Sequence, residues 1–206
     1  MSFLQQDVYL YVFWAEDGRS TEEKIEIALQ AYAELSDRMI PEKTVIGRTE
    51  RRKPYLPEDA DIGLSVSHSG AYFLCALTHG NVGMDLEQYK TELYEPKEEW
   101  LARLCSISRR FFHPEEAEFV ICDPEHHFYK IWTAKESFVK FTGEGIDDDF
   151  AKHSVLPSNA DSTDNIVRWE KSGVFFWQTE WKDDYTLCVC KEGPFSVHFC
   201  NMLEEI

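Results

Sequence analysis

The stretch Gly83-Met84-Asp85-Leu86-Glu87 decides how the chain is organised. It alternates as a short strand does, and a strand sends successive side chains to opposite faces. Met84 and Leu86 then point into a core, while Asp85 and Glu87 stand side by side on the other face. Two carboxylates held that close repel unless a proton or a cation lies between them. A hard divalent ion such as magnesium suits such a pair, because it takes oxygen ligands. A solvated edge strand with two ordinary acids is the alternative, and the flanking segments bear on the choice.

Immediately upstream, 62–66 is a short strand ending in Ser67-His68-Ser69-Gly70, and 71–78 is a strongly apolar strand. Gly80-Asn81 turns the chain, so 71–87 is expected to form a hairpin whose outgoing strand carries the acids. Serine hydroxyls, an imidazole and exposed amides at a strand end can cradle a phosphate, with a merely structural histidine as the alternative. Ser67 and His68 point apart as strand neighbours, and no GxSxG elbow is present, so a Ser-His nucleophile is disfavoured. Farther upstream, 44–57 gathers Arg48, Arg51, Arg52 and Lys53 against an acidic background. That is a candidate anion site, or a solvated loop balancing nearby acids. Before it come a strand over 7–14 and an amphipathic helix with Ile25, Leu29, Tyr32 and Leu35 at helical spacing, capped by Ser20 or Thr21, with Glu23 placed for a reciprocal cap.

Downstream, 96–108 is helical, Arg109-Arg110-Phe111-Phe112-His113-Pro114 interrupts it, and 115–121 is a second short helix. The clearest helix is 128–142, with Ile131, Ala134, Phe138 and Phe141 as its buried stripe and Gly143 and Gly145 as its stop. Trp132, Glu136 and Lys140 share another ridge at i, i+4 and i+8, and Lys135 reaches to one flank. Glu136 is a third acid that can complete a metal site with Asp85 and Glu87, with Lys140 turned to the same phosphate. A surface Glu-Lys pair is the alternative. The polar run 159–165 reads as a turn or an ordering gap, the segments 166–169, 174–181 and 185–191 as an antiparallel meander, and 197–200 as an edge strand.

Composition bounds the rest. With 38 acidic against 21 basic residues the net charge is -17, which argues against a basic nucleic-acid-binding face and against docking on anionic lipid. Six cysteines without a CxxC pair point to buried thiols in a reducing cytoplasm. Asp7, Glu16 and Asp17 come too early for a secretory leader, and no apolar run is long enough to span a membrane. The 206 residues suit an α+β fold of two lobes, 1–95 and 96–206, parted near Pro96. Each lobe is expected to be a helix on a small, mostly antiparallel sheet, with the site in the cleft between them.

Taken in order, Lys53-Pro54, LSVSHSG at 64–70, VGMDLE at 82–87, RRFFHPEE at 109–116 and WTAKESFVK at 132–140 resemble the phosphopantetheinyl transferases, specifically the larger, monomeric, two-lobed kind. The resemblance is direct over 53–150 and thins on either side. It implies transfer of the 4'-phosphopantetheine arm from coenzyme A to a serine of an apo acyl, polyketide or peptidyl carrier protein, releasing adenosine 3',5'-bisphosphate. It also implies Asp85, Glu87 and Glu136 as magnesium ligands, and Glu136 as base, with Asp85 and Lys140 sharing in catalysis. Ser67 and His68 would contact coenzyme A phosphates, the 3'-phosphate included. Lys53 would lie at the adenine or phosphate side, and Lys140 on the diphosphate. Relatives of this kind carry a basic patch in the early helix, but 28–35 here has neither arginine nor lysine. Lys24, Arg38, Lys43 and Arg48 are the candidates for that grip, and Arg48 joins Lys53 in the expected donor site. Arg109 to Phe112 is a candidate docking point for the carrier, with packing of Phe111 and Phe112 as the alternative. A coenzyme A or nucleotide binder without transferase activity, and a metal-dependent diphosphate hydrolase, are the competing functions.

Overall fold

The computed structural model describes residues 7–36, 40, 44–57, 59, 61–89, 96–144, 150–157, 160–163 and 165–203. In chain order the elements are β1 (Asp7–Trp14), α1 (Thr21–Ser36), β2 (Gly47–Arg48), β3 (Pro54–Tyr55), β4 (Ile62–Ser69), β5 (Tyr72–His79), β6 (Val82–Gln88), α2 (Lys97–Phe111), α3 (Pro114–Cys122), α4 (Pro124–Thr142), β7 (Asp161–Thr163), β8 (Ile166–Lys171), β9 (Val174–Trp181), β10 (Tyr185–Glu192) and β11 (Ser196–Asn201). Arg38, Lys43, Gly145 and the expected lobe boundary at residue 95 lie outside the described residues.

Side-chain caps open α1, α3 and α4. At α1 the Ser20 backbone N–H donates to Glu23 at 2.7 Å and Glu23 N–H donates to the Ser20 hydroxyl at 3.2 Å, a reciprocal cap. At α3, His113 and Glu116 cap in the same way. α4 starts at Asp123, whose carboxylate accepts from His126 N–H, and stops at Gly143, which takes the left-handed conformation at φ 78°.

Two sheets carry the fold, in the orders β11-β1-β5-β4 and β6-β10-β9-β8-β7, with a small β2-β3 ribbon beside them. The pairings are antiparallel apart from β1 with β11, which runs parallel from Asp7 opposite Ser196 to Val12 opposite Asn201. The inner faces of the sheets meet in one apolar core, with Val8, Leu10, Val12 and Leu74 from one and Met84, Leu86, Leu187 and Val189 from the other. α1 covers the outer face of the four-stranded sheet through Ile25, Leu29 and Tyr32. α4 covers the outer face of the five-stranded sheet, where Ala134 meets Phe176, Cys188 and Cys190, and α2 and α3 pack on α4 around Phe112, Phe128 and Ile131. The result is two helix-on-sheet lobes set sheet to sheet, with a cleft where β4 and the 48–53 segment face α4.

Three expectations are corrected. β6 does not pair back on β5: Gly80-Asn81 hands the chain to the other sheet, where β6 lies against β10 with Asp85 opposite Cys188. The apolar side chains of β6 enter the inter-sheet core from that position, and a tight turn alone does not fix which sheet the second strand joins. The polar run expected as a turn contains β7, the outermost strand of the five-stranded sheet. Strand β4 also runs on through Ser67 and Ser69 instead of stopping at residue 66. Among the described residues no helix is long and apolar enough to cross a membrane.

Gly83 is where α4 comes down onto β6. A methyl there would overlap the Ser137 carbonyl oxygen and the Phe141 amide nitrogen, both α4 backbone. Gly83→Ala should therefore lift α4 off the strand and lower stability by about 1–3 kcal/mol, read as a fall in the urea midpoint.

Candidate active site

The close approach at Gly83 sets the ridge of α4 that carries Trp132, Glu136 and Lys140 over the polar end of β6. Asp85 is 4% exposed. Its Oδ1 accepts from Lys140 Nζ at 2.6 Å and from the Ser67 hydroxyl at 2.8 Å. Its Oδ2 is buried and, among the described residues, has no hydrogen-bond partner. Glu87 accepts from the Ser69 hydroxyl at 3.0 Å. Burial, and secondly the charge of Asp85, raise the Glu87 carboxyl above its ordinary range, against hydrogen bonds from Ser69 and Trp132 and the charge of Lys140. Glu136 is pushed up to about 7, first by burial and then by Asp85, with Glu87 adding and Lys140 opposing.

Burial first, and then the neighbouring acids, raise both Glu87 and Glu136, although among the described residues no three His, Cys, Asp or Glu side chains stand at metal-ligand spacing. The donor set suits a hard cation all the same: oxygen ligands from a strand and a helix, with a buried Asp85 oxygen that lacks any partner. Lys140 supplies a positive charge on Asp85.

The raised carboxyls give a signed pH dependence. With Glu136 near 7 against an ordinary value of 4.5, the folded chain binds more protons than the unfolded one between those values. Stability then falls as pH rises through that window. In buffer free of divalent cations, urea unfolding should lose up to about 3 kcal/mol between pH 4.5 and 7, at roughly 1.4 kcal/mol per unit. Glu136→Gln should remove most of that slope.

Beside the acids lies a cavity of about 280 Å³. Arg48, Arg51, Arg52 and Lys53 form one wall, Ser65 and Val66 of β4 another, and Glu136, Val139 and Lys140 the third. The basic segment and α4 are tied together, because Lys53 Nζ donates to Asn81 Oδ1 at 2.8 Å and to the Phe141 carbonyl at 3.3 Å. Burial lowers the Lys53 pKa. Arg48 pairs with Glu22 of α1 at 2.6 Å across the surface. His68 is exposed and does not line this cavity, whereas Ser67 is buried.

The structure corrects the reading of Lys135 and decides the alternative left open for Phe112. Lys135 is not a flanking surface cation: it is buried against Glu116 at 2.9 Å, with side-chain exposures of 2% and 0%. The signal was present as the reciprocal cap of His113 and Glu116, but nothing in the spacing named its partner. Phe112 is buried, stacked on Phe128, while Arg109 and Arg110 at the end of α2 are exposed. Packing therefore accounts for Phe112, and Arg110 lies over the Phe111 ring.

Comparison with known proteins gives a consistent answer. The sequence model of the 4'-phosphopantetheinyl transferase superfamily matches residues 81–190. The chain is 28% identical over 162 residues to a 4'-phosphopantetheinyl transferase of Bacillus subtilis, which covers 77% of this chain and 66% of that one. It is 35% identical over 127 residues to a putative 4'-phosphopantetheinyl transferase of Synechocystis sp., covering 55% and 45% respectively. It is 31% identical over 113 residues to a 4'-phosphopantetheinyl transferase of Salmonella typhimurium, covering 53% and 55%. The chain thus spans between 45% and 66% of the length of these relatives.

Proposed function

The chain belongs to the 4'-phosphopantetheinyl transferase superfamily, and on that premise we propose that it moves the 4'-phosphopantetheine group from coenzyme A to a serine of an apo carrier protein. It would do so as the larger, monomeric, two-lobed kind of transferase. What supports this reading is the buried Asp85, held by Lys140 and Ser67, beside a cavity that Glu136 and Lys140 share with Arg48, Arg51, Arg52 and Lys53. The chain divides near residue 95 into lobes 1–95 and 96–206, and each lends a strand, β6 or β11, to the sheet of the other. The cysteines, free of disulfides, fit a cytoplasmic enzyme.

In this reading the carrier serine oxygen bonds to the phosphorus on the pantetheine side of the diphosphate. The bond from that phosphorus to the bridging oxygen breaks, and adenosine 3',5'-bisphosphate leaves with the electron pair. Glu136 takes the hydroxyl proton, directly or through one water, a task suited to a carboxylate that titrates near neutrality. A magnesium ion held by Asp85, Glu87 and Glu136 would neutralise the diphosphate and the charge that develops on the leaving phosphate. Lys140, whose side chain is 27% exposed, turns its ammonium to the same oxygens. Lys53 and Arg48, from the cavity wall, and His68, from the exposed end of β4, serve the nucleotide phosphates.

The test is to incubate the protein with coenzyme A, magnesium and an apo carrier protein, and to weigh the carrier. A gain of one phosphopantetheine unit that vanishes in Asp85→Ala supports transfer. Coenzyme A binding without any gain points instead to a binding protein, and diphosphate cleavage without a carrier points to a hydrolase.

A further inference from the structure

Asp85 is already paired. Lys140 Nζ donates to its Oδ1 at 2.6 Å and to the Ser67 hydroxyl at 3.0 Å. The carboxylate is buried, and a buried charge that loses its partner is strongly destabilised. Lys140 therefore stays on Asp85 unless another positive charge takes its place. A divalent cation on that carboxylate would face the ammonium across a single carboxyl group, and like charges held so close repel. The acids do not offer a complete seat elsewhere. Among the described residues no three His, Cys, Asp or Glu side chains stand at metal-ligand spacing.

Lys140 has a second place to go. It lines the 280 Å³ cavity together with Arg48, Arg51, Arg52 and Lys53. It sits in the last turn of α4, on a helix whose backbone is packed against β6 at Gly83. The helix need not move, because lysine carries its ammonium on a flexible four-carbon stem. A phosphate group in the cavity would offer that ammonium anionic oxygens. Phosphate oxygens also suit a hard cation and would add to the few that the acids supply. One side-chain rotation thus frees Asp85 at the moment when the missing ligands arrive.

We propose that Lys140 holds the cation seat on Asp85 until the donor enters, so that the chain takes up its divalent cation together with coenzyme A and not ahead of it. This rests on the reading of Asp85, Glu87 and Glu136 as cation ligands and of coenzyme A as donor. By linkage, donor and cation then tighten one another by the same factor, on the order of 5–150-fold.

The experiment reads Mn²⁺ binding by electron paramagnetic resonance, first without donor and then with saturating coenzyme A, against a blank of coenzyme A and Mn²⁺ alone. The proteins are wild type, Lys140→Met, Lys140→Gln, Lys140→Arg and the double variant Lys140→Met with Asp85→Ala. Without donor, Lys140→Met and Lys140→Gln should bind Mn²⁺ at least about 5-fold more tightly than wild type. Lys140→Arg keeps the charge and should stay as weak as wild type. Coenzyme A should then tighten Mn²⁺ by a larger factor in wild type than in Lys140→Met. A donor-free affinity in Lys140→Met equal to or below that of wild type overturns the proposal, because an ammonium that only braces Asp85 is missed when removed. If Lys140→Met does not fold, Lys140→Gln carries the same reading, since it can still hydrogen-bond Asp85 without the charge. A double variant that binds Mn²⁺ as well as Lys140→Met overturns instead the reading of Asp85 as a cation ligand, and the exchange with it.

Discussion

Glu136→Gln is expected to lower the turnover number by about 10²–10⁴-fold while coenzyme A affinity shifts by only a few-fold. Glutamine keeps the shape and the burial of the side chain on α4. It loses the charge and the ability to take a proton, the two properties that the surroundings have tuned. Removing one negative charge beside Asp85 and Glu87 also eases their repulsion, which offsets any loss in holding an anionic donor. Steady-state rates and calorimetry with coenzyme A check the split. Equal losses in rate and affinity would mean that Glu136 only binds, because a group acting solely in the transition state lowers turnover without weakening the ground-state complex.

Glu116→Ala should cost about 3–5 kcal/mol of stability, more than any surface change on the chain. Glu116 Oε2 receives Lys135 Nζ at 2.9 Å and His113 N–H at 2.9 Å, and Oε1 receives Val155 N–H at 2.6 Å. Lys135 also donates to the His153 carbonyl at 2.7 Å and lies over the Phe150 ring. Alanine at 116 strands a buried ammonium and leaves the buried Val155 amide and the half-buried His113 amide unpaired. Burial already lowers the Lys135 pKa and its partner opposes that shift, so the variant is expected to shed the proton or unfold. Adding Lys135→Met should recover part of the loss by removing the stranded charge, though not the part due to the His113 and Val155 amides. Urea unfolding of the two single variants and the double gives the coupling directly. Additive losses would show that the pair contributes nothing as a pair.

Much of this architecture was legible because it depends on periods and caps. Alternation placed Asp85 and Glu87 on one face of a strand, and the helical period put Trp132, Glu136 and Lys140 on one ridge of α4. The three-stranded meander and the edge strand near the end followed from apolar runs and turns. The unreadable parts are those fixed by another element. Gly80-Asn81 looks like a hairpin turn whether or not the strands it joins share a sheet. The seat of α4 on Gly83, the inter-sheet core around Met84 and Leu86 and the ladder with β10 hold β6 in the other sheet. Lys135 sits next to Glu136 in sequence, yet one is buried in an ion pair and the other faces the cleft. Adjacent helical positions differ by about 100° in direction, and spacing did not reveal that a second polar contact awaited Lys135. The bonding of Ser67 was likewise hidden, since it depends on two sheet edges meeting.

The parallel ladder of β1 with β11 joins segments nearly the whole sequence apart, from Asp7 opposite Ser196 onward. During synthesis the ribosome therefore releases β1 long before its outer neighbour exists, and the nascent sheet waits with a bare hydrogen-bonding edge. Such an edge invites pairing with other chains, and closing so long a loop is slow. The price of tying the two ends together is a late, aggregation-exposed step in maturation, and chaperone dependence should centre on it.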